Sequence, residues 1–122
     1  MNVLLGIGGS EDSIHALERT IERSREAGDE LTIAILENPD SDLDQQELYD
    51  RVEAELQAQQ FDAEIHVLSG HPGSQLLEFA ESEGTDLIVL GGGETSPLGK
   101  VQLGSIAEFV LLNAQTSVTL VR

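Results

Sequence analysis

The residues best placed to do chemistry lie in GGGETSPLGKVQLGS, residues 91–105. Gly91, Gly92 and Gly93 leave an apolar run, and Gly104 and Ser105 open a second segment that begins with Ile106. Consecutive glycines tolerate positive φ and leave backbone N–H groups uncovered, so such a turn can wrap an anion. A glycine turn that leads from a strand toward a helix N-terminus is where α/β proteins hold phosphates. Glu94 interrupts this turn with a carboxylate that would repel a phosphate. The same carboxylate could instead take the phosphate's place on the N–H groups. Plainer roles compete at each position. The glycines can serve only to leave a sheet, Ser105 can be a helix cap, and Glu94 can be a solvated acid.

Other reactive side chains form no recognisable set. His15, His66 and His71 are scattered, without the spacing of a metal site. Ser10 in GGSED has no partner that would make it a nucleophile, and capping a helix is its better role. The acids of ENPDSDLDQQE lack the ordered Asp, Gly and Glu spacing of a calcium loop. Cysteine is absent, which removes disulfides, thiolate metal sites and cysteine nucleophiles. No catalytic residue and no metal ligand is assigned, and the chain is expected not to be an enzyme.

Five strands and four helices must position the glycine turn. VLLGIGG (3–9) reads as a buried parallel strand ended by glycines. A helix follows from Ser10, with Ile14, Leu17 and Ile21 on one face and Gly28 at its end. LTIAIL (31–36) is the second strand. The second helix spans about residues 42–59, with Leu48, Val52 and Leu56 on one face. AEIHVL (63–68) alternates as an edge strand does. Pro72 suits the first turn of a third helix, whose apolar side is Leu76, Leu77 and Ala80. DLIVLGG (86–92) is the most apolar strand, and Ser105 to Asn113 a fourth helix before the last strand, SVTLV. This alternation specifies a single α/β domain over residues 1–122, with a parallel sheet between helices. Ligands in such sheets bind beyond the carboxyl ends of the strands, where both glycine turns fall.

Charge narrows the partners. The chain carries 23 Asp and Glu against 6 Lys and Arg, a net charge of −17, and Lys100 is its sole lysine. That surface repels nucleic-acid phosphates and anionic lipid, so neither is an expected partner. Self-repulsion weakens once salt shortens the screening length to about 3 Å near 1 M. The usage resembles that of salt-adapted cytoplasmic proteins from extreme halophiles, an acidic mesophilic protein being the alternative. Neither a basic leader nor a long apolar segment is visible, so a cytoplasmic location is expected. Hydrophobic residues are 39% and aromatics only 3%, so the core must be aliphatic.

Three fragments together resemble the universal stress protein (UspA-like) family: VLLGIGGSEDSIHAL, SGHPGSQLLEFAESEGTDLIVLGGG and LGSIAEFVLLNAQTSVTLVR. The resemblance implies a three-layer, doubly wound, Rossmann-like sandwich of the adenine nucleotide alpha hydrolase-like type. Its five-stranded parallel sheet has the order 3-2-1-4-5, with helices on both faces. It also implies a homodimer paired through the last strand, at Val118, Thr119, Leu120 and Val121, with other protein partners conceivable.

Nucleotide-binding members, ATP-binding ones among them, carry a signature of Gly, two residues, Gly, nine residues, then Gly with Ser or Thr. Aligned on Gly104-Ser105, its first glycine is Gly91, but Glu94 stands at the second. ATP-binding members also place an aspartate at the end of the first strand, where this chain has Gly8. At an effective dielectric near 20, one pair of like charges about 5 Å apart costs about 3 kcal/mol. That corresponds to a loss of about one hundredfold in affinity. Losing the aspartate removes about 1–3 kcal/mol more. The resemblance therefore implies a stress-response or signalling domain with weak ATP binding or none, its altered site formed by Gly8, Gly91, Gly92, Gly93, Glu94, Gly104, Ser105 and Ile106. The alternative is an adenine-nucleotide module that uses residues 91–106 for AMP or adenosine. A nucleotide hydrolase is the least supported reading.

Overall fold

The computed structural model describes residues 1–9, 11–91, 94, 95, 101, 102 and 104–121, with the backbone alone at 11, 94, 95, 101 and 102. The elements run β1 (Asn2–Ile7), α1 (Glu11–Ala27), β2 (Glu30–Leu36), α2 (Gln45–Gln59), β3 (Glu64–Leu68) and α3 (Pro72–Ser82). They continue with β4 (Leu87–Gly91), β5 (Glu94–Thr95), β6 (Val101–Gln102), α4 (Ser105–Asn113) and β7 (Ser117–Val121). Five parallel strands form one sheet in the order β3-β2-β1-β4-β7. The expected architecture is present, with β3 at one edge and β7 at the other.

Strand alternation divides the core into two halves. Val3, Leu5 and Ile7 of β1 join Leu17 and Ile21 of α1 and Leu48, Val52 and Leu56 of α2 on one face. Leu4, Ala34, Ile88 and Leu90 face the other way, with Leu76 and Ala80 of α3 and Ala107 and Val110 of α4. Burying one such aliphatic side chain contributes about 1.5–3 kcal/mol. Both layers are thus held by aliphatic residues at period 2 in the strands and about 3.6 in the helices. In α1 the buried face is Leu17 and Ile21, while Ile14 is half-buried.

Several boundaries differ from the sequence reading, each for a local reason. β1 stops at Ile7 and not at Gly9, because Gly9 turns the chain with a φ of +88°. The helix α2 begins at Gln45, not near residue 42. Asp44 accepts a hydrogen bond from the Glu47 amide at 2.8 Å, and Glu47 Oε1 accepts one from the Asp44 amide at 3.3 Å. This capping box fixes the start of the helix. Gly28, at φ +72°, ends α1 as expected, donating its N–H to the Ser24 carbonyl at 2.9 Å. Ser10 lies outside the described residues.

Beyond β4 lies an element that periodicity could not reveal. β5 and β6, two residues each, pair antiparallel, with Glu94 opposite Gln102 and Thr95 opposite Val101. Among the described residues, no helix is long and apolar enough to cross a membrane.

The α2 capping box generates a direct test of local stability. Asp44→Ala is expected to lower the unfolding free energy by about 1 kcal/mol. Urea denaturation should show this as a lower midpoint at unchanged slope. An unshifted midpoint would remove the box from the account of how α2 is held.

Candidate functional site

Neighbouring strands β1 and β4 send their chains in opposite directions, β1 through α1 to β2 and β4 through α4 to β7. A crevice opens at the carboxyl ends wherever the strand order reverses in this way. Gly8, Gly91, the first turn of α1 and the first turn of α4 meet at its rim.

Gly8 is covered from two directions. Its carbonyl accepts a 2.7 Å hydrogen bond from Asn38 Nδ2, and its N–H donates to Ser13 Oγ at 3.3 Å. A Cβ at position 8 would lie 3.2 Å from Ile106 Cδ1 and 3.6 Å from Asn38 Nδ2. Gly8 and Ile106, both singled out in the sequence, are therefore neighbours in the fold. Asn38 was not singled out. Its Oδ1 accepts from the Asp40 amide at 3.1 Å, and its own carbonyl from the Ser41 amide at 3.1 Å. These bonds fold the β2–α2 connection onto the end of β1. Gly9 completes the contact, since a Cβ there would sit 1.9 Å from Ser41 Oγ.

Side chains also tie the neighbouring strand ends. Gln45 Nε2 donates to the carbonyls of Ile35 and Leu68, at 3.2 and 2.8 Å, linking β2 to β3. Glu37 Oε2 accepts from the Gly70 amide at 2.7 Å.

Gly91 has a packing role. A Cβ at this position would come within 2.8 Å of both the Asp12 carbonyl carbon and the Ser13 nitrogen. Glycine therefore lets the first turn of α1 rest directly on the end of β4. Gly92 and Gly93 lie outside the described residues. So does the side chain of Glu94, and with it the idea that its carboxylate caps the turn; its backbone belongs to β5.

Ser105 is not the cap of α4. The N-cap is Gly104, at φ −64° and ψ 157°, with no side-chain hydrogen bond, and Ser105 is the first helical residue. The N–H groups of that turn carry partial positive charge at the crevice rim. Both residues are exposed, and a Cβ on Gly104 would meet nothing within 4 Å.

The histidines serve elsewhere. His71 Nδ1 accepts a hydrogen bond from the Ser74 amide at 3.1 Å and caps α3, while its ring meets Phe109 edge-on at 4.7 Å. His66 stacks at a tilt on Phe79 and approaches Glu64 at 3.3 Å. His15 is exposed. Among the described residues, no group of three His, Cys, Asp or Glu could hold a metal ion.

Known proteins match both the sequence and the fold. The family model for the universal stress protein family matches residues 1–122. Universal stress protein MJ0531 of Methanocaldococcus jannaschii is 39% identical over 67 residues, which cover 53% of this chain. The same stretch spans only 39% of that protein's length. A universal stress protein from Archaeoglobus fulgidus superposes with a TM-score of 0.81 at 21% identity, over 100% of this chain and 98% of its own. A universal stress protein in complex with cAMP gives 0.76 at 26% identity, covering 100% and 96%. One from Archaeoglobus fulgidus in complex with dAMP gives 0.73 at 20% identity, covering 100% and 98%.

The packing of Gly91 predicts a strict requirement for glycine. Gly91→Ala should destabilise the protein by about 1–3 kcal/mol, because backbone atoms of α1 must move to admit one methyl group. Thermal unfolding of the variant measures the cost, and an unchanged midpoint would show that α1 shifts freely.

Proposed function

Because the chain belongs to the universal stress protein family, we propose that it is a non-enzymatic stress-response or signalling domain that binds ATP weakly or not at all. The supporting observation is at Gly8. This position offers no carboxylate to a nucleoside, its carbonyl is engaged by Asn38, and Ile106 stands 3.2 Å from where a side chain would begin. Charge supports the same reading. Against a net charge of −17, each further phosphate on a ligand adds repulsion. Output through protein contacts in the cytoplasm completes the proposal, with no chemical step assigned to any residue.

A second reading, a module for AMP or adenosine, draws on the first turn of α4. No side chain caps that turn, so its N–H groups suit a single phosphate. The relatives in complex with cAMP and dAMP carry one phosphate each. Glu94 weighs against several phosphates more than against one.

Titration in about 2 M KCl, where surface repulsion is screened, tests both readings. Mg-ATP, AMP and adenosine would be added to the wild type, Gly8→Asp and Glu94→Gly. The wild type should bind ATP more weakly than about 1 mM, and each variant should gain about tenfold or more. Micromolar ATP binding by the wild type would sink the leading reading.

The same proposal includes a homodimer paired along the outer edge of β7, at Val118, Thr119, Leu120 and Val121. In support, β7 is an edge strand, and α4 beside it exposes Leu111 and Leu112, the latter at 76%. Sedimentation velocity should show a dimer for the wild type. A Leu112→Glu/Thr119→Glu double variant with an unchanged circular dichroism spectrum should sediment as a monomer. A dimer that survives both substitutions would place the contact elsewhere.

A further inference from the structure

The edge of the sheet opposite β7 is β3, and it has a pocket beside it. β3 pairs with β2 alone, so among the described residues no strand lies along its other side. Edge strands are commonly guarded against further pairing by lysine, proline or a bulge. Glu64–Leu68 has neither lysine nor proline, and it pairs with Thr32–Leu36 without interruption. Its one acid, Glu64, deters another acidic strand and attracts a basic one. On the side of β3 that faces α2, Ile65 is half-buried, and Val67, two residues further along, is 48% exposed.

An open pocket of about 320 Å³ lies between this row and α2. Tyr49 and Phe61 line it with aromatic rings, Ala63 and Ile65 with aliphatic surface, and Glu53 and Asp62 with exposed carboxylates. Rings and carboxylates together suit a guanidinium, whose flat face stacks while its edge donates hydrogen bonds. Phe61 already attracts one such group, since the Arg25 guanidinium lies 5.9 Å from its ring centroid and donates to the Gln59 carbonyl. Two exposed acids alone would be a solvated surface. Here they flank a pocket into which every second side chain of a strand laid along β3 would point. A second copy of this chain is a poor occupant, because it brings a net charge of −17 and its own Glu64 to the same edge.

We propose that β3 docks a basic extended segment of a partner protein as a sixth strand, with an arginine of that segment entering the pocket between α2 and β3. The inference rests on the reading that this protein acts through protein contacts, and it gives one such contact a place and a chemistry. Backbone hydrogen bonds along the edge supply affinity, and the pocket supplies selectivity. The arginine stem covers Ile65, its guanidinium meets Tyr49, Glu53 and Asp62, and an apolar residue two positions away covers Val67. Lysine fits less well, being a compact and strongly hydrated charge that does not stack. Because β3 and β7 are opposite edges of the sheet, pairing at one leaves the other open.

The probe is an acetylated, amidated peptide, Thr-Val-Lys-Arg-Lys-Val-Thr, titrated in about 1 M KCl, where screening to about 3 Å removes long-range attraction to the net charge. Two further peptides carry N-methyl groups on alternate backbone nitrogens, one in each frame, and a fourth has glutamine for arginine. The wild type should bind the parent peptide, and hydrogen exchange should slow in residues 64–68 and not in 117–121. Only one N-methyl frame should abolish binding, because alternate N–H groups of an added strand face its neighbour. Glutamine for arginine should cost about tenfold on the wild type and little on a Glu53→Lys/Asp62→Lys variant. Both substitutions are at exposed positions, and an unchanged circular dichroism spectrum would verify the fold. Loss in both N-methyl frames or in neither would overturn strand addition, and so would a wild type that binds no peptide. Binding undiminished in the double variant would overturn this docking site while leaving action through protein contacts standing. Failure of the functional reading is seen separately, as micromolar ATP binding in the titration above, which these substitutions outside the crevice do not touch.

Discussion

A side chain at position 91 has no room, and much of the site depends on that constraint. The backbone of Asp12 and Ser13 sits 2.8 Å from where a Cβ would be. Bare glycine lets α1 descend onto the seam between β1 and β4, and that height brings Ser13 Oγ to the Gly8 amide. With its N–H taken by α1, Gly8 presents its carbonyl to Asn38, and Asn38 draws the β2–α2 connection over the end of β1. One close backbone contact thus propagates through three hydrogen bonds across the carboxyl edge of the sheet. Raising α1 by a methyl group would strain each of them, because backbone cannot yield as a flexible side chain does.

Among the described residues, the rim built this way is polar and holds no basic side chain. Its described polar atoms are amides, carbonyls, hydroxyls and carboxylates, while the basic residues of α1 that pair with anything do so at its far end, Arg23 with Asp29 and Arg25 with Phe61 and the Gln59 carbonyl. A phosphate arriving here meets the dipole of the α4 N-terminus as its attraction and a heavily acidic protein as its repulsion. Dipolar attraction is short-ranged, whereas net charge acts over the screening length. Salt therefore changes the balance in one direction, removing repulsion faster than it removes close N–H contacts.

Much of the fold was legible because it rests on repeated patterns. Buried strands such as Leu87–Gly91 read as continuous apolar runs, and β3 shows the alternation of an edge. Glycine and proline punctuate the helix ends at Gly28 and Pro72. The site was less legible because its bonds cross between elements. Asn38 is one polar residue in an acidic connection, and only the folded sheet reveals that it faces Gly8. His71 resembles any surface histidine until its Nδ1 is found on the Ser74 amide. A pair of two-residue strands has no period to detect. Ser105 misled because serine is a preferred N-cap, yet Gly104 holds that place.

Fold and chemistry are separable in this molecule because they use different atoms. The two core halves are aliphatic contacts below the carboxyl edge, and none of them requires a particular side chain at Gly8. Gly8 lacks a positive φ, so its backbone does not demand glycine, and among the described residues its tight neighbour is the movable end of Ile106. Gly91 differs, since its neighbour is backbone. The sheet can therefore keep its architecture at about one-fifth sequence identity to the Archaeoglobus fulgidus protein, because the polar groups of the rim belong to neither core half.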